Sequence, residues 1–292
     1  MSRLVIIGSS NMDLTVKVKQ IPLRGETVMA GDIVSAYGGK GANQAVAAKR
    51  FGSEAIFISK LGNDSYGTAI KKHFEEEGLP SEYLLTQNDV ETGQAWICVQ
   101  ENGDNAIVVI PGANSQILPS NILKYREVIQ SADYLLMQLE IPLESVETAA
   151  RIAHESGVKV VLNPAPAQKL SDELLKCIYL ITPNEHEAML LTDNAEDPAA
   201  VLLEKGVENV IITLGEQGSV YRSKDRKHTV NALLVSAVDT VAAGDTYTGT
   251  LCAALCEGFS MEDAMELATK ASAIAVTRVG AQSSIPYRHE II

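Results

Sequence analysis

Between Val238 and Gly249 the chain reads VDTVAAGDTYTG. Ala242, Ala243 and Gly244 leave the backbone almost bare before the carboxylate of Asp245, and a helical run follows. A helix N-terminus carries unpaired N–H groups and partial positive charge. Small residues let a phosphate come close to those N–H groups, so the stretch suits an anion cradle. A carboxylate is out of place in such a cradle unless it takes a proton. A hydroxyl attacking a phosphoryl group needs a base at that point, while the N–H groups stabilise the transferring charge. The competing reading is an N-cap, a position that Asp favours.

Other clusters offer polar groups of the same kind. YGGKGANQA lacks the spacing of a P-loop, and Gln44 stands where a dinucleotide fingerprint needs its third glycine. It reads as a tight turn into a helix, or as a loop near a ligand with Lys40 and Asn43 as donors. In SSNMD, Asn11 and Asp13 alternate at the end of the first strand and can face one side. An Asx turn uses these residues, and so does a site for a polyol. Asn184 and Glu187 of TPNEHE share a helix face, which suits a capping box or the oxygens around a hydrated Mg²⁺. ITLGEQG ends a strand in a glycine turn, suited to a nucleotide or to any β-turn.

The elements that must position these groups follow from periodicity. RLVIIG reads as a buried strand and LTVKVKQ as a strand with one wet face. GETVMAGDIVSAYGG continues in short β-type pieces, and GANQAVAAKRFG is a helix stopped by Gly52. EAIFISKLG is a strand, and SYGTAIKKHFEEEG a helix ended by Gly78. TGQAWICVQENGDNAIVVIPG predicts a hairpin turning at ENGDN. Apolar strands within ADYLLMQL, VKVVLNP, YLITPN and NVIITLG then alternate with helices. The expectation is one α/β domain over 1–292. It is a doubly wound, mostly parallel sheet flanked by helices, with a small antiparallel β lid from about 14–38 and 92–111.

Of the 292 residues 46% are hydrophobic, and the net charge of −13 argues against nucleic acid as a partner. The apolar runs are too short for a membrane span. The opening MSRLVIIGSS reads straight into a strand, so no secretory leader is expected. Cys98, Cys177, Cys252 and Cys256 are scattered, which suits a reduced, cytoplasmic protein. Trp96, Ile97, Val99, Val108 and Ile110 give the hairpin more apolar surface than a two-stranded ribbon can hide, so a homodimer through the lid is expected.

Taken in order, GGKGANQAVAAKRFG, NPAPA, TPNE, ITLGEQG, DTVAAGDTYTG and AIAVTRVGAQSSIP resemble the ribokinase-type carbohydrate kinases over essentially the whole chain. The resemblance implies a doubly wound domain with a β lid and ATP-dependent phosphorylation of D-ribose at its 5-hydroxyl. The alternatives are a kinase of a related furanose, such as 2-deoxyribose or a nucleoside, or a non-catalytic sugar sensor. It implies Asp245 as the base and Ala242, Ala243 and Gly244 as the anion hole. Asn11, Met12, Asp13, Gly39, Lys40, Gly41, Ala42, Asn43 and Glu140, with Asp245, match the sugar site. Asn184, Thr213, Leu214, Gly215, Glu216, Gln217, Gly218, Gly244, Asp245 and Thr269 match the ATP site. Glu187 would hold Mg²⁺ through water. Asp239, Val241, Ala275, Arg278, Gly280 and Ser284 would hold K⁺. Thr250 departs from the family signature, which prefers Ala or Gly there, and Thr269 stands where relatives often carry Asn or His.

Overall fold

Leu4, Val5, Ile6 and Ile7 are all fully buried, as an uninterrupted apolar strand requires when helices cover both faces of a sheet. Their side chains alternate between two cores: Leu4 and Ile6 join one cluster, Val5 and Ile7 the other. The computed structural model describes residues 2–100, 102 and 104–292. Its strands are β1 (Arg3–Ile7), β2 (Asn11–Val18), β3 (Ile33–Gly38), β4 (Glu54–Gly62), β5 (Leu84–Gln87), β6 (Gly93–Gln100), β7 (Asn105–Ile110), β8 (Tyr134–Met137), β9 (Lys159–Leu162), β10 (Ile178–Ile181), β11 (Asn209–Thr213), β12 (Ser219–Ser223) and β13 (Lys227–Val230). The large sheet has the order β13-β12-β11-β10-β9-β8-β1-β4-β5. It is parallel from β11 through to β5, and β12 and β13 add antiparallel.

The helices are α1 (Lys40–Phe51), α2 (Ser65–Glu76), α3 (Pro119–Lys124), α4 (Arg126–Gln130), α5 (Leu143–Glu155), α6 (Asp172–Lys176), α7 (Glu185–Leu191), α8 (Pro198–Glu204), α9 (Ala243–Cys256), α10 (Met261–Ala275) and α11 (Arg288–Ile291). Residues of α1, α2, α9 and α10 pack in the core that holds Leu4 and Ile6. Those of α3, α4, α5, α6 and α8 pack in the core that holds Val5 and Ile7. Among the described residues, no helix is long and apolar enough to cross a membrane.

The second sheet has the order β3-β2-β6-β7. Its two ribbons, β2–β3 and β6–β7, are antiparallel as expected, while the seam that joins them, β2–β6, is parallel. The ENGDN turn includes Glu101 and Gly103, which lie outside the described residues. Two local expectations change. Asn11 and Asp13 do not end the first strand. Gly8, Ser9 and Ser10 intervene, and Asn11 opens β2, paired with Gly38 on one side and Gly93 on the other. Within GETVMAGDIVSAYGG only the residues from Ile33 onward form a strand, because β2 offers partners only from Val16 back to Asn11. The lid keeps apolar residues outside: Ile33, Val34, Trp96 and Val108 are all exposed.

Candidate active site

Helix α9 begins at Ala243, with Ala242 as its N-cap in the left-handed region at φ 59° and no side chain capping the first turn. A non-glycine residue in this conformation is uncommon, and such residues concentrate at functional sites. Asp245 is thus the third residue inside the helix rather than its cap, which overturns the capping reading. The Ala243 N–H donates to Thr240 O at 3.3 Å, and among the described residues the N–H groups of Gly244 and Asp245 find no acceptor. Space above Gly244 is open.

The Asp245 side chain is buried and turns toward α1. Its Oδ2 accepts from Asn43 Nδ2 and its Oδ1 from Gln44 Nε2, both at 2.9 Å. Two glycines bring these elements together. A Cβ on Gly249, one turn beyond Asp245, would lie 2.4 Å from Gln44 O, so only glycine lets α9 touch the α1 backbone. A Cβ on Gly41 would lie 2.6 Å from the Gly8 Cα, so α1 starts hard against the end of β1. Gly41 permits this close approach, and its N–H donates to Ser9 Oγ at 3.4 Å.

Next to Asp245 the remaining groups of the sugar assignment converge. Asn11 is buried and its Oδ1 accepts from Asn114 Nδ2 at 2.7 Å. Asp13 Oδ1 is buried without a hydrogen-bond partner. Burial, then Glu140 and Asp245, push the Asp13 carboxyl up to about 7. Glu140 Oε2 accepts from Ser9 Oγ at 2.5 Å and from the Lys40 N–H at 3.1 Å. The Asp245 carboxylate, helped by Glu140 and Glu187, raises the Lys40 ammonium above its ordinary value although burial opposes this. Met12, on the opposite face of β2, packs in the core, so only its backbone faces this region. Gly39, at φ 91°, turns the chain into α1, and the Ala42 N–H donates to Ser9 O at 2.9 Å.

A cleft of about 230 Å³ opens on the other side of Asp245, lined by Lys40, Asn163, Thr182, Asn184, Glu187, Thr213 and the turn Ala242–Asp245. Asn184 and Glu187 form a capping box: Asn184 Oδ1 accepts from the Glu187 N–H at 2.8 Å, and Glu187 Oε2 from the Asn184 N–H at 2.9 Å. Burial raises the Glu187 carboxyl, while the Asn184 N–H and Lys40 work against that rise. Thr213 bridges to Asn184. Leu214 through Gly218 continue as a turn after β11, and Thr269 is buried on α10 with its hydroxyl unpartnered; neither lines the cleft. A groove of about 370 Å³ beside α2 shares no residue with this cleft.

Two loops meet behind the α9 N-terminus. Asp239 Oδ1 accepts from the Val241 N–H at 3.0 Å and Oδ2 from the Gly280 N–H at 2.9 Å. Ser284 Oγ donates to Ala281 O at 2.7 Å, and Ala275 O accepts from the Arg278 N–H at 3.0 Å. Among the described residues the carbonyls of Asp239, Val241, Arg278 and Gly280 accept no backbone hydrogen bond. Cys252 and Cys256 are buried on α9, and no group of three or more His, Cys, Asp or Glu among the described residues is placed to hold a metal.

The sequence reading passed over Gln44, Gln138, Asn163 and Gln282, the amides that surround Asp245 and Asn43. Their only signals were the place of Gln44 directly after Asn43 and the Asn that opens NPAPA.

A family model of the pfkB family carbohydrate kinases matches residues 1–288. The ribokinase of Haemophilus influenzae is 45% identical over 99% of this chain and 97% of its own length. The deoxyribokinase of Salmonella typhi is 35% identical over 97% and 95%. Among solved structures, Arabidopsis thaliana ribokinase complexed with ribose and ATP superposes with a TM-score of 0.92 at 30% identity, covering 100% of this chain and 98% of that one. The chain belongs to the pfkB family of carbohydrate kinases. Within that family it is an enzyme of the ribokinase type.

Proposed function

We propose that the enzyme transfers the γ-phosphoryl group of ATP to the 5-hydroxyl of D-ribose. The observation that supports this most is the setting of Asp245. It is a buried carboxylate in the first turn of α9, beside uncapped N–H groups, with its oxygens bonded only to neutral amide donors. Such a carboxylate can take the hydroxyl proton as the oxygen attacks phosphorus. The N–H groups of the Ala242–Gly244 turn receive the negative charge on the phosphoryl oxygens, and Lys40, held protonated, adds to that field. Asn11, Asp13, Asn43 and Glu140 read the sugar hydroxyls. The unpartnered Asp13 Oδ1 is a buried acceptor that a hydroxyl would satisfy. Closure of the lid excludes water as a competing acceptor.

Residues for the ions fit on their donor chemistry. Mg²⁺, when bound, neutralises charge on the nucleotide phosphates. Glu187 and Asn184 would hold it through water, since the Glu187 carboxylate lines the cleft with Lys40. K⁺ fits the unclaimed carbonyls of Asp239, Val241, Arg278 and Gly280, with Ala275 and Ser284 beside them. A cation there would fix the loops that aim the anion hole. The apolar outer face of the lid supports a homodimer. The four free cysteines suit a cytoplasmic setting.

A sugar panel tests the reading. ATP consumption is followed with D-ribose, 2-deoxy-D-ribose and nucleosides, in Mg²⁺ and in KCl, NaCl or choline chloride at matched ionic strength. D-ribose should give the highest kcat/KM, and KCl the highest rate. A higher kcat/KM for the deoxy sugar or a nucleoside would reassign the substrate, and no sugar-dependent turnover would leave a sugar sensor. Equal rates in all three salts would remove K⁺.

A further inference from the structure

Each amide that serves Asp245 is itself held by another amide. Gln44 is fully buried in α1. Its Nε2 donates to Asp245 Oδ1 at 2.9 Å and to Asn163 Oδ1 at 3.0 Å, while its Oε1 accepts from Gln138 Nε2 at 2.5 Å. Gln138, also fully buried, follows directly on β8. Asn163 follows on β9, and its Nδ2 donates at 2.9 Å to the carbonyl of Thr182, which follows on β10. One carboxylate oxygen is therefore tied to the carboxyl ends of three neighbouring strands. The other is tied through Asn43 to Gln282, whose Nε2 donates to Asn43 Oδ1 at 3.2 Å.

A buried amide is costly unless its hydrogen bonds are made, and a leucine or methionine would fill the same volume without that cost. Both N–H groups of Gln44 have acceptors, and its oxygen has a donor. Turned over, its oxygen would face the Asp245 carboxylate and the Asn163 oxygen, and its NH₂ group would face that of Gln138. The side chain is locked in one sense, and Gln138 is the lock. Gln138 Oε1 has no partner and lies against Gly8, just past the end of β1, where an added Cβ would lie 2.1 Å away.

We infer that Gln44 and Gln138 are positioning residues that hold Asp245 in the ionised form and orientation needed to accept the hydroxyl proton. The inference rests on Asp245 being the base. Neither glutamine need touch the sugar or the nucleotide. A hydrogen bond to the charged form favours that form. Removing it should therefore raise the pH at which the base becomes active. The charged groups around Asp245 are Lys40 from α1, Asp13 from β2, Glu140 from the segment after β8, and Glu187 from α7. Lys40 is cationic, and the Asp13 carboxyl, pushed up to about 7, adds its own step to the profile. All of these groups remain in the variants, so the difference between variant and wild type reports the Gln44 contribution.

The test compares Gln44→Met and Gln138→Met in the full chain, each with Asp245 intact and with Asp245→Asn. With Asp245 intact, Gln44→Met should lower kcat by about 10- to 100-fold with the KM for ATP little changed. The acid limb of kcat/KM should move up by about one pH unit. Gln138→Met should shift both in the same direction by less. In the Asp245→Asn background neither should lower the residual rate further, because the base that the glutamines orient is already gone. If Gln44→Met folds poorly, Gln44→Glu keeps the shape, and its second carboxylate should move the acid limb up as well. An unmoved acid limb with unchanged kcat, or the same loss in both backgrounds, would overturn the inference. Near-normal turnover of Asp245→Asn alone would instead remove the base reading on which it rests.

Discussion

The two sides of Asp245 are built from different materials. Toward the lid stand side chains: Asn11, Asp13, Asn43 and Glu140, drawn from β2, α1 and the segment after β8. Toward the cleft the anion cradle is backbone, the Ala242–Gly244 turn with its uncapped N–H groups, with Lys40, Asn184 and Glu187 around it. Side chains can differ in length and chemistry and so can tell one pattern of hydroxyls from another. Backbone N–H groups are all alike, which suits an anion common to every nucleoside triphosphate. On the roles proposed above, discrimination and charge stabilisation are separable, and substitutions on one side should leave the other nearly untouched.

The largest break in that comparison should come from Asn11→Ala. Losing a buried hydrogen-bond partner costs about 1–3 kcal/mol, so the KM for ribose should rise by about 10- to 100-fold while that for ATP stays within about twofold. Steady-state kinetics with each substrate varied in turn decide this, and an equal rise in both constants would dissolve the division.

Asp13→Asn sharpens the comparison through pH. The Asp13 carboxyl titrates at about 7 in the folded protein, against an ordinary value of 3.8. The folded state therefore binds this proton more tightly than the unfolded chain. Stability is unaffected by the shift below pH 4, falls as pH rises toward 7, and levels off above that. Asp13→Asn cannot titrate, so its advantage over the wild type should grow by about 4 kcal/mol between pH 4 and 8. Urea midpoints across that range measure it. Parallel curves would place Asp13 in ordinary solvent contact and out of the crowded acidic side.

The smallest effect concerns the outer face of the lid. Val108 is 64% exposed on β7. Light scattering at micromolar concentration should give twice the chain mass for the wild type and the monomer mass for Val108→Glu, with ribose affinity down only a few-fold. A wild-type monomer with full activity would show that the sugar side needs no second lid.

Much of this architecture can be read from the sequence because its signals are local. The run RLVII predicts a strand buried on both faces, Gly52 stops α1 in the left-handed region at φ 113°, and apolar strands alternating with helices predict the parallel sheet. Asp245 stands out because a carboxylate follows three small residues. Non-local features are harder to read. The parallel seam between β2 and β6 joins segments about eighty residues apart, and no periodicity encodes it. The stretch before Ile33 has strand-like letters but no partner strand. Gln44 looks like any polar helix residue, because its role depends on Gln138 and Asn163, whose positions are set only when β8 and β9 lie side by side. Thr269 and the Leu214–Gly218 turn carry family letters, yet they sit away from the cleft walls.

The central claim is that the carboxylate between the two sides is the base. Asp245→Asn keeps the shape and the N–H cradle while removing the proton acceptor. The measurement is kcat for ribose phosphorylation alongside ATP affinity by calorimetry. The expected result is a fall in kcat of about 10²–10⁴-fold with ATP affinity within about threefold of the wild type. Turnover close to the wild type would contradict it and leave Asp245 as no more than a structural part of the first turn of α9.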